Sequence, residues 1–272
     1  MSEIVTSVSF QDCLHELIEA GGAAAQQEYR SWRARPLNRP EYGKVIAFVE
    51  SFTHRFLFEI TEEMLEETKR RSVHALGQLK KEEAEDRRIE DFDTPFAIHH
   101  LFHMYLEQER RVPTWQDWWS WLTVGAGKPF YIAEVQRQFR WTTINDAERA
   151  HLKDAAQWRL GKFYYSAFRE LELFTKLRLR YQLPVKYHLL ADVLLRANLW
   201  MEKTVISLYF GNAQYRQGAQ GRKRQPQYFL ENGFRFLEVT LPRQGFGKFW
   251  RVDDESIAEV AGRLQTVEIH ES

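Results

Sequence analysis

Cys13 is the only cysteine in 272 residues, which excludes an intramolecular disulfide and any cysteine-based zinc site. No uncharged apolar run reaches the roughly 18 residues that a membrane span needs. The opening segment MSEIVTSVSFQDCLHELIEA lacks the basic-then-apolar order of a secretory leader. Together these absences predict a soluble, cytoplasmic chain. There is no G-x-S-x-G, no G-x-G-x-x-G and no P-loop; GAGKP at 125–129 has glycine and lysine but neither the spacing nor the hydroxyl that would hold magnesium. Nucleophile-elbow hydrolases and nucleotide-driven enzymes are thereby disfavoured. Cys13 is a poor nucleophile candidate too, because His15, two residues on, faces another side of the same helix.

Net charge is also missing, since 38 Lys and Arg balance 38 Asp and Glu. The balance is a cancellation. Residues 1–100 hold 13 basic against 19 acidic side chains, whereas residues 151–251 hold 18 against 7. Phosphate contact needs local positive potential and not a basic average, so the later half either meets nucleic acid or pairs with the acidic half. What is plentiful is core material, at 44% hydrophobic and 14% aromatic residues, enough for a folded domain.

Proline and capping signals organise the first part as helices. Pro36 and Pro40 bracket one break, Asp93-Thr94-Pro95 and Pro113-Thr114 open two further helices, and ITEEMLEETKRRSVHALGQLKKEEAEDRRIE reads as one charged, solvated helix. After Thr143-Ile144-Asn145-Asp146, which resembles a capping box, a long helix runs towards Pro184 with an interruption expected at Gly161. KYHLLADVLLR, TVISLYFG, FRFLEVTLP and GKFWRV then read as strands, and DDESIAEVAGRL as a capped helix. The predicted class is α+β: a helical domain over 1–142 for partner contact or DNA positioning, then an α/β domain with a small mixed sheet over 143–272.

The order helix, strand ending near an aspartate, hairpin partner, basic segment, strand over residues 146–251 resembles the core of the PD-(D/E)XK nuclease-like superfamily. That resemblance implies a DNA-acting endonuclease of a transposition, restriction or phage-defence system, with magnesium or manganese as cofactor. It makes Asp192 the first metal ligand, since a hard cation takes oxygen ligands. The E-x-K tripeptide that should follow is replaced by Ser207-Leu208-Tyr209. Because members of the superfamily relocate these groups, the resemblance implies Glu170 or Glu172 as the second carboxylate and Lys223 as the catalytic lysine. Lys223 or Arg216 would stabilise charge at phosphorus, and Arg222, Arg224, Arg243, Lys248 and Arg251 would hold the backbone. LYFGNAQYRQGAQGRKR more loosely resembles the second half of a GIY-YIG motif, with Tyr209, Gly211, Arg216 and a distant Glu231, but no first half precedes it.

Other features carry readings outside that resemblance. The missing E-x-K suits a non-catalytic nucleic-acid-binding or assembly subunit. Aromatic residues interleaved with the basic segment, Tyr215, Tyr228, Phe249 and Trp250, suit base stacking or a strand core. His99, His103 and Glu107 share one helical face and Glu148-x-x-His151 is half of a di-iron pattern, yet structural histidines account for both. Four tryptophans at 115, 118, 119 and 121 form either core or a protein-docking patch on one helix, the latter giving a helical interaction module.

Overall fold

The computed structural model describes residues 5–210, 225–231, 233–241, 244–246 and 249–269. Among these, helices predominate and seven strands form three small sheets, an α+β composition. No helix of the described residues is long and apolar enough to cross a membrane. Two compact units are present, each discontinuous in sequence. One, the sheet unit, comprises Met1–Thr61, Glu170–Gln244 and Arg251–Ser272; the other, the helical unit, comprises Glu62–Arg169 and Gly245–Trp250. The units therefore do not divide at 142/143 as expected, because the first 61 residues group with the mixed sheet.

In the sheet unit, β1 (Val8–Ser9) pairs antiparallel with β2 (Thr53–His54). Ser9 ends β1 and caps the next helix: its hydroxyl accepts from Asp12 N at 3.2 Å while the Asp12 carboxylate accepts from Ser9 N at 2.7 Å. Cys13, in that helix, is wholly buried, and burial pushes its thiol pKa up. The mixed sheet runs β3 (Leu199–Met201), β4 (Thr204–Phe210), β5 (Arg235–Leu241), with β3 antiparallel to β4 and β4 parallel to β5 from Thr204↔Arg235 onward. Every residue of β4 from Thr204 to Leu208 is buried, as a strand covered on both faces requires. β6 (Gln244–Phe246) and β7 (Phe249–Arg251) form a separate pair that falls mostly in the helical unit, and in the sheet unit Asp253 caps the Asp254–Ile269 helix by accepting from Ser256 N at 2.7 Å.

One expected strand is absent. In KYHLLADVLLR only Lys186 makes a bridge, to Trp200, after which Ala191–Leu195 coils as a π-helical turn closed by Arg196 in the left-handed region at φ 61°. A short continuous apolar run has no periodicity to separate a buried strand from a buried helical turn. Here the turn buries Leu189, Leu190, Leu194 and Leu195 together. Several polar groups inside this unit are paired: Glu16 accepts from Trp200 Nε1 at 2.7 Å and pairs with Lys186, and Leu190 N donates to His188 Nδ1 at 3.1 Å.

The helical unit is built around aromatic rings. Trp115, Trp118 and Trp121 are buried; Trp118 stacks on Trp121 at 5.5 Å and meets the edge of Phe102 at 5.4 Å. Thr114 caps this helix as its spacing predicts, with Asp117 completing a capping box. The charged run after Thr61 is not one helix: it forms Glu62–Arg71, then Lys81–Ala84 and Arg87–Glu90, because Ala75 and Leu76 turn inward to be buried. The long helix Asp146–Leu179 is uninterrupted at Gly161. Space is tight there: a Cβ would lie 2.8 Å from Leu76 Cδ2 and 3.3 Å from the Ala75 carbonyl oxygen, so the Leu76 side chain must shift even for a methyl group. Gly161→Val is expected to destabilise the chain by about 1–3 kcal/mol, read as a lower urea midpoint; an unchanged or higher midpoint contradicts that packing.

Candidate functional site

Three polar side chains meet beneath the mixed sheet. Glu170 projects from the long helix, Asp192 from the π-helical turn, and Asn198 from the residue preceding β3. The Asn198 amide nitrogen donates to Glu170 Oε1 at 3.1 Å and to Asp192 Oδ1 at 3.3 Å. Its amide oxygen accepts from Leu208 N at 2.9 Å, and its backbone N–H donates to Ile206 O at 3.1 Å. Asn198 is thus fastened to β4 on one side while presenting both of its amide hydrogens to the acids on the other, which fixes its orientation.

Both acids are more than nine-tenths buried, Glu170 at 6% exposure and Asp192 at 7%. Burial, reinforced by the nearby Asp192 charge and opposed by the Asn198 hydrogen bond, raises the Glu170 pKa well above the usual carboxylate range. Tyr187, fully buried, has its phenol raised for the same reasons, burial first and the two acids after. Arg196 lies close by, its carbonyl accepting from Ser207 Oγ at 3.3 Å.

Of the expected site residues, then, Asp192 and Glu170 come together and Glu172 does not join them. Two residues further along the helix, Glu172 faces elsewhere: it is wholly buried, pairs with Lys176 at 3.1 Å and accepts from Val252 N at 3.3 Å, while Lys176 also meets Asp254 at 2.7 Å. Arg216, Arg222, Lys223, Arg224, Arg243 and Lys248 lie outside the described residues, and Arg251 is described only as backbone in β7. Gly211 and Tyr215 lie outside them as well, while Tyr209 bonds Gln225. Where E-x-K would place its glutamate, the Ser207 hydroxyl instead reaches the Arg196 backbone. Asn198 and Arg196 carry no motif that singles them out in the sequence.

The donor set fits a hard divalent cation in kind, since two carboxylates can hold magnesium or manganese that keeps several waters. Among the described residues no group of three His, Cys, Asp or Glu gathers to hold a metal. The histidine readings resolve structurally: His100 and His103 are buried, His99 meets the Phe163 ring edge at 4.6 Å, and Glu148 and His151 pair separately with Arg88 and Asp86. In the helical unit the tryptophan patch reduces to Trp119, which with Trp141, Ile132, Leu152 and Lys153 lines a concavity of about 250 Å³.

Protonation gives the acidic pair a measurable signature. A folded-state pKa above the ordinary glutamate value of 4.5 means that the folded chain keeps a proton which the unfolded chain releases. That contribution is fully present below about pH 4.5 and is lost as pH rises through the folded-state value. Buried His100, held near 3 by desolvation, and His188, held near 4 by desolvation, act in the opposite sense: their contribution is present above pH 6.5 and is lost as pH falls. Glu170→Gln is expected to leave the melting temperature unchanged near pH 4.5 and to raise it at pH 8, by the equivalent of about 1 kcal/mol. A constant offset across that range contradicts a protonated Glu170. Compared with known proteins, the chain matches no family profile, no curated protein and no solved structure.

Proposed function

We propose that the sheet unit acts on DNA as a divalent-metal-dependent endonuclease with a PD-(D/E)XK-like core, of the kind used in transposition, restriction or phage defence. The observation that carries this reading is the pairing of Asp192 with Glu170 through one amide, in a unit where a long helix precedes an antiparallel hairpin whose second strand pairs in parallel with a third. Magnesium or manganese, when bound by Asp192 and Glu170, supplies Lewis-acid stabilisation of a phosphodiester oxygen. Asn198 holds both carboxylates in register, so that Asp192 and Glu170 would present their oxygens together to such a cation. In the same reading Lys223 or Arg216 stabilises charge developing at phosphorus, and Arg222, Arg224, Arg243, Lys248 and Arg251 grip the backbone.

A second reading is favoured by a specific observation. Ser207-Leu208-Tyr209 stands in place of E-x-K, and Lys176 is held by Glu172 and Asp254 away from the acidic pair. With no lysine beside the acidic pair among the described residues, the same unit would serve as a nucleic-acid-binding or assembly subunit; a protein partner docking at Trp119 is the remaining alternative.

Labelled single- and double-stranded DNA and RNA, incubated in magnesium and then manganese with the wild type, Asp192→Ala and Asn198→Ala, separate these readings. The expected result is metal-dependent cleavage that is lost in Asp192→Ala and reduced about 10- to 100-fold in Asn198→Ala. Cleavage undiminished in Asp192→Ala overturns the site. Binding with a steep salt dependence and no turnover selects the second reading.

A further inference from the structure

The concavity of about 250 Å³ in the helical unit is a site of its own. It lies among the Trp115–Thr123 helix, the Ile132–Gln138 helix and the first turns of the Asp146–Leu179 helix. Val135, Leu152 and Ala156, each at most 2% exposed, are its deepest lining, while Trp119 and Trp141 are half-buried. An apolar cavity of about 150 Å³ admits benzene, so this one has room for a bicyclic ring.

The wall that carries Trp141 is fixed from several directions. Arg140 stands in the left-handed region at φ 48°, a conformation that a residue with a Cβ adopts only where its surroundings hold it. Trp141 N then donates back to the Gln136 carbonyl at 2.9 Å, and the Trp141 carbonyl accepts from Arg149 Nη1 at 3.1 Å. Arg149 is itself paired with Asp146. Trp119 packs on Trp115 with ring centres 5.6 Å apart, whereas the Trp141 ring meets no other aromatic ring among the described residues. An indole whose backbone is held at both N–H and carbonyl, and whose ring is left half-exposed, is a preformed stacking surface.

Charge in the lining has one sign. Lys153 is exposed and makes neither an ion pair nor a side-chain hydrogen bond among the described residues. The residues one helical turn away are Arg149, Ala150, Ala156 and Gln157, so no carboxylate stands at the spacings that pair charges along a helix. Other cations of this helix are matched, Arg149 by Asp146 and Lys162 by Glu90. Gln136, also in the lining, adds amide N–H donors.

We infer that this cavity binds a small bicyclic aromatic carboxylate, its ring against Trp119 and Trp141 and its carboxylate on Lys153. Two indoles alone would equally suit a cationic guest; Lys153 reverses that preference. The inference is independent of the nuclease reading, since every lining residue belongs to the helical unit.

Calorimetric titration of the full chain with 2-naphthoate, naphthalene-2-methanol and octanoate tests the site. Naphthoate is expected to bind with a dissociation constant of about 0.1 mM or tighter, and the alcohol and octanoate at least about fivefold more weakly. Lys153→Met changes an exposed side chain, so the melting temperature is expected to hold while naphthoate falls to the affinity of the alcohol. Trp141→Leu is expected to weaken naphthoate at least about fivefold and to leave octanoate nearly unchanged. Absence of naphthoate binding at about ten times that concentration overturns the site. Equal affinity for naphthoate and the alcohol, or for naphthoate in wild type and Lys153→Met, overturns the carboxylate, and octanoate binding as tightly as naphthoate overturns the ring. Concentration-dependent association of the chain that is lost in Trp141→Leu and indifferent to naphthoate assigns the concavity to a protein partner and also overturns the inference.

Discussion

Burying acid on the last turns of one helix is the constraint around which the sheet unit is arranged. Glu170 and Glu172 both face its interior, where an isolated carboxylate is costly. The two are settled by different means. Glu172 is charge-compensated by Lys176 and by the backbone N–H of Val252, just before the C-terminal helix. Glu170 makes no ion pair among the described residues; Asn198 donates to it, and burial beside Asp192 raises its pKa well above the usual carboxylate range. A buried ion pair completed by hydrogen bonds is a structural solution; a buried acid kept neutral next to a second acid is one that a cation can replace. Two glutamates two residues apart on one helix are thus accommodated by different chemistry.

The same arrangement explains why Asn198 is central. Its side chain joins an acid on the long helix to an acid on the π-helical turn, and its oxygen and backbone N–H tie both to β4. An aspartate at that position would add a third negative charge, and an alanine would leave Leu208 N without its acceptor. Polar networks of this kind specify a geometry more than they stabilise it, because each member is satisfied only when all the others are in place.

Much of the fold was legible locally. Thr114 and Asn145 cap helices because a short oxygen-bearing side chain can reach the first free N–H groups, and the sequence around each shows it. β4 and β5 are rich in β-branched and aromatic residues, and both form. Legibility ended where neighbours far along the chain decide the outcome. Ala75 and Leu76 break the charged run after Thr61 because they are buried near Tyr165, whose hydroxyl accepts from Ala75 N at 2.9 Å. Asp192 sits on a helical turn because a run of buried aliphatic residues has no period to read. The pairing of Glu170 with Asp192 was accessible from the sequence only as one of two options, and the choice against Glu172 depends on Lys176 and Val252. Arg196 and Asn198 had no local signal at all.

Cys13 carries a different consequence. It lies in the first helix of the sheet unit, wholly enclosed, with its thiol held in the protonated form. Because the chain has no other sulfhydryl, alkylation of this protein is a single-site chemical clock: the native fold withholds the nucleophile, and its rate of modification counts the openings of the unit that houses the acidic pair.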